Sequence, residues 1–595
     1  MRRFRPRAAF LAAALASSCA LHEARAADDA APAACARPQT QAAAREDHSA
    51  QWAIVRDEFY SQDQGSRIMP LAWMRALKTT DGRPFLEDGL ARYFYLPNPV
   101  SPANPEGLPV GFHVSGTSGA RFVGVTCAAC HTREISVGGE TRRIDGGPAL
   151  ADFQRFLVDL DEAALRVLRD PAAFAVFAPE ALGVPDPDAV DVETLRLDLA
   201  AWSGRYHALI SRALDGVTWG RGRLDAVSMI FNRLTGLDLG EDPTRLIADN
   251  IHRAGAPTRY PFLWNAARQD KTQWPGFADN GSDILGLPRN LGEVLGVFAA
   301  FEPAKSPALH PLLQYDYLSK NSANFDGLAK LERWMRLIDP PKWPFGPLDA
   351  ALVEKGAGLF ESRCAQCHGE APGQTQFPNV KTWRTCLADV GTDRAEYLVL
   401  TRRANPGALE GAQIPGLVQP LAPDAFAVDV LAVATLGSIL QNHLRETLQN
   451  PLALLPRLRS GNLPPSLDGL QGAFRSIQHI KELSKGFDQP ATKFPYEARV
   501  LYGIWAAAPY LHNGSVASLD DLLKPAAQRR ASFSVGPAYD VEKVGLAETQ
   551  PDGATTLTTT GCEDVLSGDS RCGHEYGTDL DDADRRALIE YLKQL

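Results

Sequence analysis

This chain of 595 residues predicts a mainly α fold in two similar units, with long loops, helical insertions and little β. Three observations carry that expectation. One pentapeptide pattern, Cys-x-x-Cys-His, occurs twice, at 127–131 and 364–368. A proline-dense stretch, Asp339-Pro340-Pro341-Lys342-Trp343-Pro344-Phe345-Gly346-Pro347, separates the two copies and suits neither helix nor central strand. Helical spacing of apolar residues recurs around both.

Taken in order, the chain opens with Arg2, Arg3, Arg5 and Arg7 before a short apolar run, Ala8 to Ala16, and a small-x-small site at Ala24-Arg25-Ala26. That pattern reads as a secretory signal over 1–26, so a periplasmic or secreted protein is expected, with a lipid anchor at Cys19 as the lesser alternative. An N-terminal extension follows over 27–90, then a first unit over 91–338 with helices around Asp152–Leu168 and Leu195–Leu234. The linker occupies 339–347 and the second unit 348–595. There Leu352, Gly356, Leu359 and Phe360 share one helical face just before Cys364, and a closing helix from Asp581 sets Leu588, Leu592 and Leu595 on one side. No other apolar run approaches eighteen residues, so no membrane span is expected. A formal charge of -10 without basic runs argues against nucleic acid.

Two thiols one turn apart followed by histidine are the attachment signal of c-type haem: the thiols bond the porphyrin and the histidine faces the iron. Nine cysteines and twelve histidines are too few for two chance matches. A zinc site would want a second Cys-x-x-Cys or paired histidines nearby, which neither motif has. Two covalently bound haem c groups are therefore expected, on Cys127, Cys130 and His131 and on Cys364, Cys367 and His368. Cys562 and Cys572 would close a short loop, worth about 2–3 kcal/mol in an oxidising compartment.

What completes each iron separates carriers from catalysts, because a closed iron passes electrons and an open one binds small molecules. No methionine follows His368. The candidates there are His443, His479, His512 and His574; His574, just before the last helix, leads, and His512 is the alternate. After His131 no histidine or methionine occurs before His207 and Met229. An open first haem is expected.

Several segments resemble the dihaem c-type rubber oxygenase (RoxA-like) group: Gly124 to Thr132 with Arg143-Ile144-Asp145-Gly146-Gly147, Asp63 to Arg67, Leu108 to Phe112, Arg289 to Gly296, Gly503 to Gly514 and Gly573 to Gly577. That group lies within the bacterial dihaem cytochrome c peroxidase superfamily, which also holds an enzyme that modifies a partner protein. The resemblance implies an oxygen- or peroxide-binding first haem, a bis-histidine second haem and a tryptophan between them. Trp274, in Gln273-Trp274-Pro275-Gly276, matches that tryptophan except that Pro275 replaces an acid; Trp264 is the weaker alternative. The distal Gln and Glu of the peroxidases have no match after Trp274 beyond Glu293. The expected partners are O2 or H2O2, an apolar polyene and a small cytochrome or cupredoxin donor. The expected activity is oxygenation of an unsaturated hydrocarbon, with peroxide reduction and plain electron transfer as alternatives.

Overall fold

The computed structural model describes residues 35, 47–117, 119–281, 283–373, 380–449 and 492–595. The signal segment, Cys19 and His479 lie outside them. The fold is mixed rather than mainly α. Helices are joined by a three-stranded sheet and eight two-stranded ribbons among the described residues.

The correction is sharpest at the first Cys-x-x-Cys-His motif, which sits between two hairpins. Strands Phe112–Thr117 and Ala120–Val125 pair antiparallel, and Met69–Pro70 adds a third strand. Strands Thr132–Val137 and Glu140–Asp145 follow directly. Gly138 and Gly139 form the two-residue turn between them, both at positive φ (59° and 89°). Only such a turn matches the right-handed twist of the flanking strands, and glycine reaches it without steric cost. Thr132, Ile135 and Val137 favour the pleated surface, and Ile135 is wholly buried.

Helices dominate the next stretch. Phe153–Arg169, Pro171–Leu182 and Ala189–Ala213 are each capped by an aspartate, Asp152, Asp170 and Asp188, whose carboxylate accepts first-turn backbone N–H groups. Phe153, Phe156, Leu157, Leu160 and Val167 recur at three- and four-residue spacing and form the buried stripe of the first helix. The segment expected as one helix to Leu234 ends at Ala213. It resumes at Ala226–Phe231 and widens into a buried π turn over Asn232–Asp238.

In the second unit, helix Ala350–Arg363 packs on the closing helix Asp582–Gln594. Gly356 permits that approach, because a Cβ there would strike the Ala587 carbonyl. Helix Ala427–Gln449 crosses against Asp283–Gly296. By length and composition its span Ala427–Glu446 would cross a membrane, contrary to the sequence expectation, but 67% of the most apolar window is buried in the protein. Val430, Val433 and Ala434 are wholly enclosed, as in a core helix.

One core spans both sequence halves. Ile135, Phe262 and Trp264 pack in it with Phe360, Trp505 and Leu588. The proline-rich stretch lies along this core. Its Trp343 meets Trp505 edge-on at 5.4 Å, and Trp505 Nε1–H donates to the Pro341 carbonyl. Cys562 is bonded to Cys572, and Cys35, across 351 residues, to Cys386.

Candidate functional site

The first motif forms one tight turn, Cys127–Ala129, at the junction of the two hairpins. Cys127, Cys130 and His131 line a cavity walled by Phe153, Leu224, Met229 and Phe262. His131 Nδ1–H donates to the Pro261 carbonyl at 2.8 Å. A carbonyl only accepts, so the proton sits on Nδ1 and the Nε2 lone pair is left for a metal. Burial lowers the pKa of His131 to about 4 and keeps the ring neutral.

The second motif repeats the arrangement on helical backbone, with Ala365–His368 continuing helix Ala350–Arg363. His368 Nδ1–H donates to the Arg499 carbonyl at 2.7 Å. All four motif cysteines are free thiols. Free paired thiols, an imidazole oriented by a backbone carbonyl and an apolar cavity fit a covalently held haem in each place.

The cavities differ opposite their motif histidine. Across the second, His574 faces His368 with ring centroids 6.1 Å apart. Two imidazoles sharing one metal through bonds of about 2 Å would stand about 6 Å apart. His574 sits in left-handed backbone at φ 50°, its own N–H bonded to the Val390 carbonyl. Its Nδ1 is buried without a partner, and burial beside His368 lowers its pKa to about 3. His512 lies elsewhere on the same cavity, stacked on Tyr496 at 3.9 Å with 18° between ring planes. His443 lies on helix Ala427–Gln449 and lines neither cavity.

His131 is the only histidine lining the first cavity among the described residues. His207 bonds Asp161 at 2.7 Å and stays off the cavity, whereas Met229 and Met335 are part of its wall. Gln273 and Glu293 also line it, and Gln273 Nε2–H donates to Glu293 Oε1 at 3.0 Å. Gln273 has φ 66°, a conformation that costs a non-glycine residue energy and commonly marks a functional constraint. Burial raises the pKa of Glu293 against the opposing pull of Arg289 and of the Gln273 hydrogen bond. Beyond it lies a second, apolar cavity walled by Phe231, Phe277, Val428, Leu431 and Leu436, which shares Gln273, Arg289 and Glu293 with the first.

Trp274 is buried in the wall between the haem-motif cavities and lines both, as do Arg259, Phe262, Glu497 and Arg499. Its Nε1–H donates to the Arg259 carbonyl at 3.3 Å. The guanidinium carbons of Arg259 and Arg499 lie 4.9 and 5.5 Å from its ring, within cation–π range. Arg499 pairs with Glu497 at 2.7 Å, and burial lowers Arg259 to about 9. These two arginines are buried positive charges suited to acidic groups of a cofactor. Trp264 lines neither cavity. It stacks on Phe262 at 4.9 Å, and its Nε1–H donates to the Tyr502 carbonyl. Sequence reasoning missed Gln273, Arg259 and Arg499; only the place of Gln273 beside Trp274 hinted at its part.

Paired cysteines, an oriented histidine and an enclosing cavity suggest a haem cytochrome, a class associated with oxidoreductase chemistry. Residues 495–534 match the family described as RoxA-like, cytochrome c-like. That segment supplies Tyr496, Glu497, Arg499 and His512 to the walls just described. The chain is 29% identical over 588 residues to uncharacterized protein y4iJ of Sinorhizobium fredii, covering 91% of each protein. It is 36% identical over 353 residues to uncharacterized protein y4iM of the same organism, covering 56% of this chain and 64% of that protein.

Proposed function

We propose that the protein is a periplasmic or secreted dihaem c-type oxidoreductase in which the first haem reacts with O2 or peroxide and the second passes electrons. One observation carries this: His574 stands across from His368 at 6.1 Å, whereas among the described residues the first cavity is lined by no histidine besides His131. Haem, when bound, supplies the reducible iron. The chain's residues do the rest. Cys127 and Cys130, and Cys364 and Cys367, hold the two groups, and Pro261 and Arg499 orient the two histidines through their carbonyls. Trp274 bridges the wall between them, and the apolar part of the wall, with Phe153, Leu224 and Phe262, lowers the polarity around the first centre.

The favoured reaction is oxygenation of an unsaturated hydrocarbon. The apolar cavity that shares Gln273, Arg289 and Glu293 with the first suits such a substrate. Peroxide reduction with a small cytochrome or cupredoxin donor is the second reading. It is favoured by Glu293, a half-buried carboxyl on the first cavity whose pKa is raised, as suits a group that moves a proton.

Spectra of the fully reduced protein with air and a polyene, and of the half-reduced protein with peroxide, separate the two. Polyene consumption in Glu293→Gln at the wild-type rate supports oxygenation. Peroxide turnover that falls about 100-fold or more in that variant supports the peroxidase. A reduced protein that binds no CO would sink both.

A further inference from the structure

Another buried acid lines the first cavity and has no part in the reading above. Glu396, on the short helix Ala395–Leu400, is 4% exposed, and its Oε2 has no hydrogen-bond partner. It borders the cavity together with Val227, Thr258, Trp274 and Glu497, on the side of the wall shared with the second cavity. A fully buried, unpaired carboxylate is costly, so an acid placed here without a cationic partner needs a reason.

We propose that Glu396 is the redox-linked proton store of the first cavity, taking one proton from solvent as one electron enters that centre and releasing it when the electron leaves. This rests on the reading that the first motif holds a haem. The electron comes from the second haem, which is oxidised as the first is reduced. The proton adds to a carboxylate oxygen of Glu396 to give the acid, so the net charge of the closed cavity does not change. In low dielectric that neutrality matters more than it would in water.

The surroundings fit an acid that changes state only under such a demand. Asp225 faces Glu396 from the start of helix Ala226–Phe231, Glu497 from strand Tyr496–Ala498, and Asp393 from its own segment. The phenols of Tyr397 and Tyr496 lie in the same group. Positive charge reaches these neighbours rather than Glu396 itself: Arg402 acts on Asp225, and Arg499 and Arg259 on Glu497. Burial first, then the three carboxylates, raise the pKa of Glu396 well above the usual range and favour the acid. A positive charge on the oxidised centre would oppose them.

The test is the first haem's reduction equilibrium against pH, followed spectroelectrochemically in the haem-loaded full-length protein, with the second haem as internal reference. In wild type the equilibrium constant should fall as pH rises, approaching tenfold per unit, or about 59 mV for one electron, within its titration window. In Glu396→Gln it should change less than twofold per unit. Glu396→Asp, should the glutamine variant fail to fold, should retain the slope in a shifted window. A slope unchanged in Glu396→Gln overturns the proposal. Two haems with a pH-independent first potential overturn it alone; a first motif that carries no haem overturns the reading beneath it.

Discussion

The two cavities start from the same five-residue pattern and end as different chemical environments. Both motif histidines give their Nδ1 protons to backbone carbonyls and keep Nε2 free. The second is then met by His574, delivered by a left-handed residue just before the closing helix. The first shares its cavity with an acid–amide pair, Gln273 and Glu293, which also borders a separate apolar cavity. The motif announces a cofactor; the opposite wall decides what that cofactor does.

That contrast is most easily broken at His574. In His574→Ala the second centre should lose its low-spin bis-histidine spectrum, and the reduced protein should bind two CO per chain instead of one. An unchanged CO stoichiometry would mean that another residue, His512 foremost, closes that site. A smaller effect is expected at the wall. Trp274→Phe removes the bridging indole but keeps its bulk, and electron transfer between the sites, followed by stopped-flow absorption, should slow about tenfold, a barrier rise of about 1.4 kcal/mol. The least effect concerns stability. Burial depresses His512 to about 3, well below its ordinary 6.5, so the unfolded chain binds the extra proton between those values. Stability is therefore full above about pH 6.5 and declines as pH falls. The melting temperature should drop on acidification from pH 7 to 5, and less steeply in His512→Gln.

Local chemistry was readable from the sequence and long-range geometry was not. The two motifs declare themselves in five residues each, and the place of His574 before the last helix marks it out among the later histidines. The hairpin after the first motif was also written there, as Gly138-Gly139 between β-branched residues, but the helical expectation for such units masked it. Gln273 is a different case. Its role depends on a left-handed backbone and on a partner twenty residues away, neither of which leaves a periodic trace. The same holds for Cys35 and Cys386, 351 residues apart.

The carbonyl anchors carry one more consequence. Pro261 holds His131 and Arg499 holds His368, and Arg499 Nη1–H in turn donates to the carbonyl of Phe262, the residue next to Pro261. The two imidazoles are thus yoked through a single short strap of main chain and one guanidinium. A ligand that pulls on His131 loads the same strap that steers His368. Whatever free energy couples the two is reciprocal, so binding at either histidine biases binding at the other by the same factor.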